Sequence, residues 1–138
     1  MQTNNTDIKK ILSNFNIEEL NEMQLASLDA IEKNNDTILV STTGSGKTLA
    51  FLLPLVNLLK KEIKTPQALI IVPSRELAIQ IDDVFRKMQT GFKVSVCYGG
   101  HKRETEENNL LQAPALIIGT PGRLADHIRR NNFSTTDI

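Results

Sequence analysis

Thr37-Ile38-Leu39-Val40-Ser41-Thr42-Thr43-Gly44-Ser45-Gly46-Lys47-Thr48 runs an apolar segment into a glycine turn, and Leu49-Ala50-Phe51-Leu52 continues it as the start of an apolar helix. Strand, glycine turn and helix in this order form a phosphate cradle. Gly44 and Gly46 admit backbone conformations that a Cβ forbids, so successive N–H groups can converge on phosphate oxygens at the positive end of the helix. Lys47 supplies a point charge for β- and γ-phosphates, and the Thr48 hydroxyl is a ligand for Mg²⁺. The strict pattern opens with Gly, where this chain has Ser41. An ordinary Gly/Ser turn would have no reason to place Gly-Lys-Thr at a helix start, so the stretch points to a nucleoside triphosphate.

Composition narrows the remaining possibilities. The 138 residues have the size of one ordinary domain. Sixteen basic and sixteen acidic side chains cancel, so there is no global field that binds nucleic acid indiscriminately, and any such site must be local. With no Trp, one Tyr and five Phe, a stacking platform for bases is not expected, and recognition should go through the backbone. The single cysteine, Cys97, cannot form an intramolecular disulfide, and Met1–Asn5 has neither a basic nor an apolar leader region; a cytoplasmic chain is expected. The longest apolar stretch, Leu49 to Leu59, contains Pro54 and Asn57 and falls short of the roughly 20 apolar residues that span a bilayer, so no membrane role is expected. Cys97, His101 and His127 lack the clustered spacing of a metal site and read as structural or surface residues.

Three apolar runs without alternation, Thr37–Val40, Ala68–Val72 and Ala115–Ile118, read as fully buried parallel strands, and Lys93–Tyr98 as a fourth strand. Helices are expected from about Lys47 to Glu62 with a kink at Pro54, from Arg75 to just before Gly91, from Lys102 to Gln112, and around Arg123–Arg130. The helix beginning near Arg75 carries Leu77, Ile81, Val84, Phe85 and Met88 at helical spacing. Alternation of strand and helix predicts an α/β fold with a parallel sheet flanked by helices, whose ligands sit beyond the carboxyl ends of the strands.

Those strand ends carry similar chemistry. Ala68–Val72 runs into Pro73-Ser74-Arg75-Glu76-Leu77-Ala78, and Ala115–Ile118 into Gly119-Thr120-Pro121-Gly122-Arg123. Each offers a hydroxyl, a fixed turn and an arginine at a helix start, where an anion is favoured. Two such sites suggest a polyanion, and Gly99-Gly100 could admit a backbone segment without a side chain in the way. Plain N-capping by Ser74 and Thr120 and a plain turn at the glycines are the structural alternatives.

The succession STTGSGKT, PSRELA, GG and TPGR, in this order and at these separations, closely resembles the N-terminal RecA-like domain of the DEAD-box RNA helicases, over about Ile17 to Asn131. The resemblance implies an incomplete RecA-like P-loop domain over residues 1–138. It has an adenine-reading segment at 15–25, the phosphate loop at 41–48, and RNA-binding strand ends at 73–78, 99–100 and 120–123. ATP and Mg²⁺ are the implied cofactors, bound by Thr43, Gly44, Ser45, Gly46, Lys47 and Thr48, with Lys47 and Thr48 in the catalytic role and Thr48 on the metal. Single-stranded RNA is the implied partner, held by its sugar-phosphate backbone through Pro73, Ser74, Arg75, Gly99, Gly100, Thr120, Pro121, Gly122 and Arg123.

By its distance from the phosphate loop, Gln24 matches the family's adenine-reading glutamine, with Ile17 as the apolar contact for the base and Phe15 in the core. The residues also allow a local reading: Asn21 as N-cap with Gln24 at N3 in a capping box, and Leu20 and Leu25 at the staple positions. Gln24 can serve both, since its side chain has two ends.

The acidic motif that gives the family its name does not occur in the 138 residues, nor do a Ser-Ala-Thr motif and a second RecA-like domain. The expectation is therefore a fragment of an ATP-dependent RNA helicase that is inactive by itself. Its sheet would be completed by the remainder of the helicase, by self-association or by another chain. A non-catalytic adenine-nucleotide or RNA-binding module is the alternative.

Overall fold

The computed structural model describes residues 5–138. Met1–Asn4, on which the expectation of no leader partly rests, lie outside the described residues. Close contacts divide the chain into two compact units. Among the described residues the first is 5–58 with 87–90, and the second is 59–86 with 91–138.

The first unit contains α1 (Asn5–Ser13), α2 (Glu22–Lys33) and α3 (Lys47–Leu58). α1 buries Ile11 and Leu12. α3 buries Leu49, Ala50, Leu52, Leu53 and Pro54, as its uninterrupted apolar sequence requires, and it ends at Leu58 rather than Glu62 because the polar run Lys60-Lys61-Glu62 has no apolar face to bury. The buried Ser27 hydroxyl of α2 donates to the Ala50 carbonyl at 2.7 Å, fastening α2 to α3. Phe15, expected in the core, is half-buried instead, with the Lys87 ammonium 5.0 Å from its ring centroid.

Thr37–Val40 is not a buried strand. It forms no strand at all, and Ile38 and Val40 are 91% and 88% exposed. A strand exists only where its N–H and C=O groups find a partner, and no segment among the described residues pairs with this one. Apolar content alone therefore misassigned it.

The second unit holds β1 (Ala68–Ile71), β2 (Val94–Cys97), α5 (Arg103–Leu110), β3 (Leu116–Gly119), α6 (Pro121–Arg129) and most of α4 (Arg75–Lys87). The strands form a three-stranded parallel sheet in the order β1-β3-β2, flanked by helices, so the predicted α/β class holds. β3 is central and buried along its whole length, which is what a non-alternating Leu-Ile-Ile run signifies. β1 has the same apolar composition but pairs on one side only. Its residues are half-buried and Ile71 is 60% exposed, against the expectation of full burial. Leu69 and Phe133 pack against a core of Cys97, Leu110, Ile117 and Leu124. α6 ends at Arg129, and just past its C-cap Arg130 the chain takes a left-handed turn at Asn131 (φ +54°), which suits a short polar side chain. No helix among the described residues is long and apolar enough to cross a membrane.

Candidate functional site

In the first unit the glycine loop leads directly into α3, which starts at Lys47. Gly44 and Gly46 take φ of +77° and +88°, the left-handed region that the sequence pattern requires of them. The Ser45 hydroxyl donates to the Thr42 carbonyl at 2.7 Å and shares a second 2.7 Å bond with the Ser41 hydroxyl, while Lys47 Nζ donates to the Ser41 carbonyl at 2.7 Å. Ser41, where the strict pattern has glycine, thus closes the loop through both its hydroxyl and its carbonyl. Thr42, Thr43 and Gly44 form an exposed crest, and the ammonium has two further donors. These residues fit a phosphate chain.

The capping box is built as read. The Asn21 N–H donates to Gln24 Oε1 at 3.0 Å, and the Gln24 N–H donates to Asn21 Oδ1 at 2.9 Å. Leu25, expected in the staple, is 54% exposed. The box also holds the glycine loop: Gln24 Nε2 donates to the Gly46 carbonyl at 3.2 Å and Asn21 Nδ2 to the Ser45 carbonyl at 3.0 Å. Gln24 is buried, and a Cβ on residue 46 would lie 2.5 Å from its Nε2. One N–H and one lone pair of the amide stay uncommitted in these bonds. Ile17 is half-buried, its N–H bonded to the Leu12 carbonyl at 3.1 Å.

In the second unit the three strand ends meet, because the parallel register aligns Ile71, Gly119 and Cys97 at the carboxyl edge of the sheet. The ladder continues one residue further, with Val72 N–H donating to Gly119 and Thr120 N–H to Cys97, each at 3.0 Å. The Arg75 guanidinium lies 5.9 Å from the Tyr98 ring centroid, and a Cβ on Gly100 (φ +87°) would lie 3.5 Å from its NH1. Arg123 NH2 donates to the His101 carbonyl at 3.1 Å. The two hydroxyls differ. Ser74 Oγ accepts from the Leu77 N–H at 3.3 Å as an N-cap, whereas Thr120 makes no side-chain capping bond although Pro121 opens α6.

Sequence reasoning missed three residues here. Tyr98 and His101 stack with centroids 5.1 Å apart, a small ring platform in an aromatic-poor chain. Glu106, in the first turn of α5, is completely buried and bonds to His127 Nε2 at 2.7 Å and to His101 Nδ1 at 3.0 Å. An acidic residue in a polar helix gives no sign of burial, and His127 lies 21 positions away. The fold brings Cys97, Glu106 and His127 within 4.8 Å of one another, a cluster that the spacing of Cys97 and His127 does not suggest. Burial, and next the charge of Glu106, push the Cys97 thiol up to about 12 against an opposing pull from Arg123, so the sulfur keeps its proton at neutral pH. With Glu106 already bonded to His127, the cluster reads as core rather than as a metal centre.

A parallel sheet with helices between its strands, a glycine loop opening one helix, and arginines and glycines at the strand ends define a RecA-like α/β protein of the P-loop type. The chain belongs to the DEAD/DEAH box helicase family, which it matches over residues 21–138. It is 35% identical over 137 residues to "ATP-dependent RNA helicase DeaD" of Buchnera aphidicola subsp. Baizongia pistaciae, covering 97% of this chain and 23% of that protein. The protein of that name from Escherichia coli K12 is 35% identical over 134 residues, covering 95% of this chain and 21% of the relative. Among solved structures, the yeast DEAD-box splicing factor Prp28 superposes with a TM-score of 0.84 at 27% identity, over 97% of this chain and 34% of that one. A hypothetical ATP-dependent RNA helicase from Sulfolobus tokodaii gives 0.80 at 25% identity, over 94% and 38%. The chain thus spans under a quarter of the length of these two curated relatives.

Proposed function

We propose that this chain is the ATP- and RNA-binding N-terminal part of an ATP-dependent RNA helicase, which in its full length separates short RNA duplexes in the cytoplasm. The observation that carries the reading is the convergence of Ser74-Arg75, Gly99-Gly100 and Thr120–Arg123 at one sheet edge, where hydroxyl, guanidinium and side-chain-free backbone face a common margin. Such a surface suits a sugar-phosphate backbone better than base edges, and the 2′-hydroxyl would distinguish RNA from DNA.

Thr43, Gly44, Ser45, Gly46 and Lys47 would hold the phosphates of ATP, and Thr48 the Mg²⁺, which supplies charge neutralisation for phosphoryl transfer when bound. Gln24 would read adenine through the half of its amide not spent on Asn21 and Gly46, with Ile17 against the base. Hydrolysis and duplex separation are assigned to the longer protein, of which relatives this chain spans under a quarter.

The test is a calorimetric titration of the 138-residue chain with ADP and GDP, alongside anisotropy with matched single-stranded RNA and DNA. ADP-selective binding lost in Lys47→Ala and Gln24→Ala, and RNA binding lost in Arg123→Gln, is expected. Equal affinity for ADP and GDP would refute the adenine assignment, and no preference for RNA over DNA would refute the 2′-hydroxyl reading.

A further inference from the structure

We propose that Glu106 is a positioning residue for RNA binding, its buried carboxylate setting the place of the Gly99-Gly100 turn and of the Arg123 guanidinium together. The inference rests on the RNA assignment above. A fully buried charge is costly unless every lone pair is answered, and at this position a leucine would serve the core at lower cost. Here three hydrogen bonds and one facing guanidinium answer the carboxylate. Oε2 accepts from the Tyr98 N–H and from His101 Nδ1, both at 3.0 Å. Oε1 accepts from His127 Nε2 at 2.7 Å and faces Arg123 NH1 at 3.5 Å. The ring proton of His127 sits on Nε2 because Asn132 Nδ2 donates to its Nδ1 at 2.9 Å.

These donors come from two segments. Tyr98 and His101 bracket the glycine pair, while Arg123 and His127 lie one turn apart on α6. Arg123 NH2 also donates to the His101 carbonyl at 3.1 Å, closing a ring of contacts through Glu106, His101 and Arg123. A displacement of the carboxylate would therefore move both RNA-facing segments at once. Arg123 NH1 is buried without a hydrogen-bond partner among the described residues, so the guanidinium is held by charge and by one bond rather than by a two-pronged fork. Its placement therefore depends on the Glu106 carboxylate.

Glu106→Gln keeps the shape and reverses one side. With its NH₂ toward the Tyr98 N–H, donor faces donor; with its NH₂ toward His127 Nε2, that ring must change tautomer and give up the bond it accepts from Asn132, and Arg123 loses the negative charge that holds it. Affinity for a fluorescent single-stranded oligouridylate is measured by anisotropy on the 138-residue chain, well below the melting temperature of each variant, so that a role in stability alone leaves it unchanged. Glu106→Gln should weaken RNA binding about tenfold, the size expected for one charge-assisted contact. The Glu106→Gln/Arg123→Gln double variant should lose less than the product of the two single losses, because both act on one guanidinium.

Should Glu106→Gln fail to fold, His101→Phe decides. It keeps a ring on Tyr98, removes one donor to the carboxylate, and should weaken binding about threefold. Unchanged affinity in the folded variants, or losses that multiply, would overturn the inference. A wild-type chain that binds no RNA would overturn the function proposed above and this inference with it, whereas wild-type binding with unchanged variants would overturn this inference alone.

Discussion

Replacing Gly119 by alanine should cost the second unit about 2 kcal/mol, a value that follows from where a Cβ would fall. Gly119 ends the central strand, and its added carbon would lie 2.8 Å and 2.9 Å from Leu124 Cδ2 and Cγ, and closer still to the Cys97 carbonyl oxygen. Ordinary contact between carbon atoms lies at about 3.5 Å, so each neighbour must retreat by more than half an ångström. Neither is free to do so. Leu124 is 2% exposed in the core, and the Cys97 oxygen accepts the Thr120 N–H at 3.0 Å. Overpacking of this kind costs about 1–3 kcal/mol, and weakening the Thr120 bond adds about 1 kcal/mol. The lower chain entropy of unfolded alanine returns roughly 0.4–1 kcal/mol.

Urea unfolding followed by far-UV circular dichroism measures the change from the midpoint and slope. Gly122→Ala is the internal comparison. It sits in α6 with nothing within 4 Å of its added carbon, and should be neutral or stabilising by up to about 1 kcal/mol. A Gly119→Ala protein within about 0.5 kcal/mol of wild type would refute the claim that strand end and core are packed this tightly.

Ser74→Ala should lose about 1 kcal/mol with its N-cap bond, while Thr120→Ala, which removes no capping bond, should leave stability within about 0.5 kcal/mol; thermal melts compare the two. Cys97 should resist a thiol-specific reagent at pH 8 until urea unfolds the chain, because the buried thiol holds its proton up to about 12. The same shift carries a pH dependence. With the folded value above the ordinary 9.0, its contribution is complete below that value and is lost as pH rises toward about 12, so the urea midpoint should fall between pH 8 and 10.5 and fall less in Cys97→Ala.

The glycine loop was legible in the sequence because its determinants are local. Gly44 and Gly46 need positive φ, Lys47 begins a helix, and Asn21 with Gln24 form a box three residues apart, each decided by backbone sterics and neighbouring donors. The helix and strand positions in the second unit, and their parallel α/β arrangement, were likewise legible as alternating runs of apolar and amphipathic sequence. Burial was not. Thr37–Val40, Ala68–Ile71 and Leu116–Gly119 have nearly the same composition, yet one is an unpaired segment, one an edge strand and one the buried centre of the sheet, because a strand's environment depends on which neighbours supply its hydrogen bonds. Glu106 is the clearest case. The sequence shows an acid in a polar helix, and only the packing of α5 and α6 against the end of β2 surrounds it with donors from Tyr98, His101, Arg123 and His127, turning an ordinary surface-type residue into a buried charge at the edge of the site.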